Sequence, residues 1–194
     1  MTPRPHLLLY PSDQASLGGD LPEASAPAAV EIEDLEEVVR RYSGYVATIA
    51  LRLLGRHDEV DDVVQEVFLV AMKGLAQLRD DGALRGWLAT VTVRTARRRL
   101  RQRRWTRLVG FDDAPDYAET LVAPGATAEE LSTLARVYRL LDTLPVDERV
   151  AWALRHIHGD GLEAVAAACG CSLATVKRRI HAAQSAIERL VVDD

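Results

Sequence analysis

Leu162 to Leu190 reads LEAVAAACGCSLATVKRRIHAAQSAIERL, and the fold of the whole chain is read outward from it. A short apolar helix carrying Leu162, Val165, Ala166 and Cys169 runs into Gly170, where a sharp turn favours a residue without a Cβ. Ser172 is placed to cap the following helix, its hydroxyl accepting an otherwise unpaired N–H. In that second helix Leu173, Val176, Ile180, Ile187 and Leu190 recur at helical spacing and are expected to face inward. The other face near its start carries Thr175, Lys177, Arg178 and His181. This is the layout of a helix-turn-helix, whose second helix offers its first two turns to the DNA major groove.

The chain has 194 residues, 48% of them hydrophobic, enough for one large domain or two small ones. Five prolines precede residue 28, none lies between Val30 and Ala114, and three follow. A long proline-free stretch rich in Ala, Leu, Val and Arg predicts helices. The net charge of −5 speaks against nucleic acid only as a total. Residues 1–37 carry −7 and residues 38–110 carry +8, while residues 111–133 hold six acidic side chains and none basic. A basic block between two acidic segments is a local electrostatic footprint.

Residues 1–33 mix Pro, Ser, Gly, Ala and Asp without period and read as a disordered tail. From residue 34 a helical stripe (Leu35, Val38, Val39, Tyr42, Val46, Ile49, Ala50, Leu53) leads to Gly55, a plausible stop. A second helix after Asp58 has a broad apolar face of Val60, Val63, Val64, Val67, Phe68, Ala71, Met72 and Leu75. Opposite it stand Asp61, Asp62, Gln65 and Glu66. A polar loop, Gln77 to Ala83, precedes a third helix from Leu84, with Trp87, Leu88 and Val91 as core candidates. That helix ends in eight arginines within the fourteen positions from Arg94 to Arg107. They point all round the axis, and their self-repulsion calls for a polyanion nearby. Residues 34–108 thus predict one compact helical domain, and residues 109–126 an acidic linker.

In residues 127–194 Thr127 and Glu130 form a capping box. Leu131, Leu134, Val137, Tyr138, Leu141 and Leu144 face the core of the helix they open. Pro145 suits the first turn of the next, which carries Val150, Leu154 and Ile157 and breaks at Gly159 and Gly161. The expected architecture is all-α: two small helical domains, the second ending in the helix-turn-helix, on a flexible acidic tether. Cys169 and Cys171 are too close for a structural disulfide and suit a reducing cytoplasm. A zinc site with His156 and His158 is imaginable, but small residues packing a tight turn are the simpler reading. No nucleophile–base pair, phosphate loop, secretory signal or membrane-length apolar run is visible. A non-enzymatic, cytoplasmic protein without cofactor or bound metal is expected.

The run Asp61-Asp62-Val63-Val64-Gln65-Glu66-Val67-Phe68, followed by Leu84-Arg85-Gly86-Trp87-Leu88, resembles region two of bacterial sigma factors of the extracytoplasmic-function group. Leu144-Pro145, Arg149, Leu154-Arg155, Gly170-Cys171-Ser172 and Thr175-Val176-Lys177-Arg178-Arg179-Ile180 resemble their region four. The resemblance covers about residues 34–190, with both blocks in the family's order. It implies a transcription initiation factor that binds core RNA polymerase and recognises minus-ten and minus-thirty-five promoter DNA, with an anti-sigma factor as a further partner. By position, Asp62, Gln65 and Glu66 would meet the polymerase clamp helices. Arg97, Arg98, Arg101 and Arg104 would hold promoter phosphates, and Arg155, Thr175, Lys177, Arg178 and His181 would meet minus-thirty-five DNA. Arg94 stands where the family commonly has Asn in its base-reading pocket, Met72 where an aromatic is usual, and Ala182 where Arg is frequent. Two other readings fit parts of the chain: a helix-turn-helix regulator that works without polymerase, and a sigma-like protein that binds only an anti-sigma partner.

Overall fold

The computed structural model describes residues 35–74, 81–108, 110, 117 and 127–192. The expected N-terminal tail, residues 75–80 with Leu75 and part of the expected loop, and most of the expected linker lie outside the described residues. Among the described residues seven α-helices are delimited, in order: α1 (Leu35–Leu54), α2 (Val60–Gly74), α3 (Asp81–Leu108), α4 (Ala128–Thr143), α5 (Val146–Ala153), α6 (Leu162–Cys169) and α7 (Leu173–Val192). A π-helical turn, Leu154–His158, extends α5. The described residues contain no strand.

α1, α2 and α3 pack against one another as the first unit. Val46, Ile49 and Leu53 of α1 meet Val63 and Val67 of α2 and Leu84 and Leu88 of α3 in a core that excludes water. Met72 departs from the expected inward face: it is 59% exposed, as is Leu69. α3 starts at Asp81, three residues before the sequence pattern places it.

In the second unit, α4 opens on the expected capping box, with Thr127 Oγ1 accepting from Glu130 N and the Glu130 carboxylate accepting from Thr127 N. Pro145 is the N-cap of α5 rather than its first helical residue. Gly159 (φ +91°) ends the π turn and Gly170 (φ +63°) makes the turn between α6 and α7, both in the left-handed region that Gly tolerates. Val176 and Ala183 are the fully buried residues of α7, whereas Leu190 is 38% exposed. Leu190, the last inward-phased leucine, is therefore only partly covered at the end of the helix.

The two units do not stand apart. Their buried residues merge into one apolar cluster, with α3 lying against α5 and α6 and α1 against the π turn. Arg149, 2% exposed, crosses the joint from α5 and donates to the C-terminal carbonyls Leu53 O (3.2 Å) and Leu54 O (3.1 Å) of α1 while pairing with Asp142. Tyr138 Oη donates to Arg52 O at 3.0 Å, and its ring lies over Gly55, where an added Cβ would come within 2.4 Å. Gly55 (φ +72°) is therefore required both by the backbone and by this close approach. Among the described linker residues, Tyr117 enters the joint. Tyr117 is fully buried, stacks on Tyr138 at 5.4 Å and donates to Asp142 Oδ2 at 2.7 Å.

Candidate nucleic-acid interface

Two of the helices that bring basic side chains to the surface, α3 and α7, carry most of the residues expected to meet DNA. On α7 the local sequence does this directly. Ser172 Oγ accepts from Thr175 N at 3.2 Å, capping the helix, and Gly170 N and Cys171 N close the turn onto Ala167 O and Ala166 O. The burial of Val176 sends Lys177 and Arg178 outward and exposed, with exposed His181 about one helical turn further on. Thr175 is half-buried and its hydroxyl lies 2.9 Å from that of Ser172, so the cap engages it before any ligand does. Arg155, in the π turn, is exposed but tied back to Asp160 O at 2.9 Å.

On α3 the eight arginines are sorted by helical phase. Arg94, Arg98 and Arg101, spaced four and three apart, are exposed along one stripe that continues into Trp105 and Leu108. Arg97 and Arg104 turn toward the second unit, where Arg97 Nη1 donates to Cys169 O (3.4 Å) and Arg104 Nη1 to Leu144 O (3.1 Å). Arg103, 6% exposed, pairs with Glu59 at 2.6 Å and donates to Leu54 O at 3.4 Å. Arg107 pairs with Asp142 at 3.1 Å. The self-repulsion of the run is thus relieved largely by the chain's own carboxylates and carbonyls, a solution that composition did not reveal.

The acidic–amide face of α2 is present: Asp61, Asp62 and Gln65 are exposed and Glu66 is half-buried. It is not electrostatically bare. Arg98 pairs with Glu66, while Arg99 reaches Asp62 at 3.4 Å and Glu66 at 3.6 Å. Side chains expected to meet polymerase and side chains expected to meet DNA are therefore in mutual contact. Leu69 and Met72 extend the same exposed face with apolar surface.

The thiols of Cys169 and Cys171 are free, and burial pushes Cys169 up to about 11, so it is inert at neutral pH. No group of three or more His, Cys, Asp or Glu among the described residues could hold a metal ion. His156 stacks on Trp152 instead, and His158 Nδ1 meets Arg52 Nη1 at 3.0 Å. Burial, then the charges of Arg52 and Arg85, lower His158 to about 4 and keep it neutral. Sequence reasoning did not single out Asp147, Asp142 or Tyr117, which organise the joint, nor Arg103, which ties α3 to Glu59 and the end of α1, because no periodicity marks a side chain whose partner lies on another element.

Sigma-70 region 2 matches residues 38–106 and Sigma-70 region 4 matches residues 134–186. The chain is 36% identical over 146 residues to the ECF RNA polymerase sigma factor EcfG of Rhodopseudomonas palustris, covering 75% of this chain and 78% of that protein. It is 34% identical over 165 residues to the ECF RNA polymerase sigma-E factor of Escherichia coli, covering 79% and 84%. The chain belongs to the ECF sigma factors. It is a promoter-directing transcription initiation factor, with core RNA polymerase and promoter DNA as its partners. Two solved structures share the fold. One is the sigma factor RpoE in complex with the anti-sigma factor NepR from Bartonella quintana, at TM-score 0.58 and 22% identity over 84% of this chain and 99% of that one. The other is CnrH in complex with the cytosolic domain of CnrY, at TM-score 0.56 and 26% identity over 82% and 88%. Members of this family are regulators rather than enzymes. No helix among the described residues is long and apolar enough to cross a membrane.

Proposed function

We propose that this ECF sigma factor grips polymerase with the exposed face of α2 and promoter DNA with the outer faces of α3 and α7. Asp62, Gln65 and Glu66 meet the clamp helices of the polymerase. Arg94, Arg98 and Arg101 line the minus-ten side, and Arg97 and Arg104 join them once the joint between the units is open. Lys177, Arg178 and His181 read or hold minus-thirty-five DNA, supported by Thr175 at the helix cap and by Arg155. The protein acts in the cytoplasm without catalysis of its own, and an anti-sigma factor restrains it, a reading supported by the complex of the sigma factor RpoE with the anti-sigma factor NepR.

The observation that carries this reading is the pairing, in one chain, of an acidic–amide helix face with a capped recognition helix whose basic residues point to solvent. A regulator acting on duplex DNA alone would leave the α2 face without purpose. Run-off transcription with purified core polymerase on genomic promoter fragments tests it. Discrete transcripts that depend on the factor, and that disappear with Asp62→Lys, are expected. Duplex binding with no polymerase association would return the chain to the regulator reading.

A further inference from the structure

α3, α4 and α5 leave a small cavity between them. Arg104 and Arg107 line it from α3, Asp142 from α4 and Arg149 from α5, with Leu100 and Val146 as apolar walls. Its volume is about 10 Å³, room for one body the size of a water molecule. Three guanidiniums against one carboxylate leave the lining a surplus of two positive charges. Asp147, beside Val146 in the chain, does not reduce that surplus. Arg97 (3.0 Å), Arg101 (3.2 Å) and Arg179 (3.1 Å) already surround it.

The hydrogen bonds around the cavity leave donors over. Asp142 Oδ1 takes Arg149 Nη1, and Oδ2 takes Arg107 Nη2 (3.1 Å) and Tyr117 Oη (2.7 Å). Arg104 Nη1 donates to Leu144 O, and Arg149 Nη2 to Leu53 O and Leu54 O. What remains is the Nε–H of Arg107 and that of Arg149, both buried and both without an acceptor among the described residues. Arg149 is 2% exposed, so bulk solvent does not serve its Nε. Buried N–H groups left in this way are costly and rare. A water molecule could accept from both, but it would also have to place two hydrogens of its own. Each oxygen of the lining carboxylate already accepts from a guanidinium. An occupant that carries negative charge and no hydrogens answers the spare donors and the surplus charge together.

We propose that this cavity is a binding site for one small monovalent anion, chloride being the match in size, held between the Nε–H groups of Arg107 and Arg149 with the exposed Arg104 as the third cation. The anion accepts from one guanidinium of α3 and one of α5 and screens the repulsion between them. Stability then responds to which anion is present, whereas ionic strength alone acts on every exposed pair alike. Neither polymerase nor DNA enters into it, so the site stands whatever becomes of the promoter-reading proposal.

The test uses the full chain and reads the midpoint of thermal unfolding while sodium chloride replaces sodium gluconate at constant ionic strength, gluconate being too large for the cavity. The wild-type midpoint should rise by about 3 °C or more, in proportion to the logarithm of chloride once the site is mostly filled. Sodium bromide should act like chloride. Arg107→Gln, which takes one Nε–H and one charge from the lining, should lose the response. Arg94→Gln removes the same charge from the exposed stripe of α3 and should keep it. Crystals of the wild type grown in bromide should show one anomalous-scattering peak between Arg107 and Arg149, a reading that holds even if Arg107→Gln fails to fold. No chloride-specific rise in the wild type, or the same rise in Arg107→Gln, overturns the anion site. So does a bromide crystal without that peak, which leaves the cavity to water alone.

Discussion

α3 and α7 are the two basic helices proposed to face DNA, yet their charges are kept in opposite states. On α7, Lys177, Arg178 and His181 are exposed, and local sequence alone positions them. On α3, arginines at 97, 98, 99, 101, 103, 104 and 107 are all engaged by acceptors elsewhere in the chain. Arg94, exposed, has no such partner among the described residues. A short basic patch can wait in solvent at little cost. A run of eight arginines cannot, and in the absence of DNA it recruits the protein's own acidic side chains. Removing an arginine should therefore cost fold on α3 and function on α7.

The largest effect is expected at Arg103. It is buried against Glu59 and Leu54 O, so Arg103→Ala leaves an uncompensated carboxylate and carbonyl at the end of α1. Breaking a buried pair from one side typically costs about 3–5 kcal/mol. Urea denaturation should show a loss in that range, and a change below about 1 kcal/mol would erase the distinction between the helices.

Acid provides the next probe, through the joint. His158 has a folded pKa of about 4 against an ordinary value of 6.5, so the unfolded chain binds the proton first. Its contribution is intact above pH 6.5 and is lost progressively as pH falls toward 4, by up to about 3 kcal/mol. The pH dependence of unfolding should show this slope in the wild type and flatten in His158→Gln.

On α7 the expectation inverts. Lys177→Ala and Arg178→Ala should change stability by less than about 0.5 kcal/mol. In footprinting, Arg178→Ala should cost about 1–3 kcal/mol if it reads a base edge, with the loss confined to one base position. A phosphate contact would instead weaken all sequences alike and make the salt dependence shallower. Loss of fold in either variant would remove the contrast with α3.

The smallest effect in magnitude concerns Arg94, the α3 arginine that behaves like those of α7. Asn can both donate to and accept from a flipped base, whereas Arg only donates but adds a flat cation that stacks. Transcription of a promoter library by Arg94→Asn should change the preference at one minus-ten position, away from a base rich in acceptors such as guanine. A uniform drop over all promoters would make Arg94 one more phosphate anchor.

The acidic–amide face of α2, proposed to meet polymerase, was partly legible in the sequence. Asp62 and Gln65 are exposed as their phase on α2 requires, but Glu66 is half-buried under Arg98 and Arg99, on a helix 32 residues further along the chain. Glu66→Lys therefore confounds fold with binding, and Asp62→Lys is the cleaner probe.

Sequence by itself determined what depends on neighbours within a few residues. Helical periodicity placed the helices and most of their buried faces, and Ser172, Thr127 and Gly170 fixed the caps and the turn because those interactions span three or four positions. Lys177, Arg178 and His181 were readable for the same reason, since the burial of Val176 dictates where they point. Tertiary structure alone decided where the α3 arginines find their counter-charges, why Gly55 must be Gly beneath Tyr138, how Tyr117 enters the joint, and that Asp147 links α3 to α7. These contacts join residues tens of positions apart, and a guanidinium on a long stem can reach any carboxylate that packing brings near, so no local pattern specifies which one it takes.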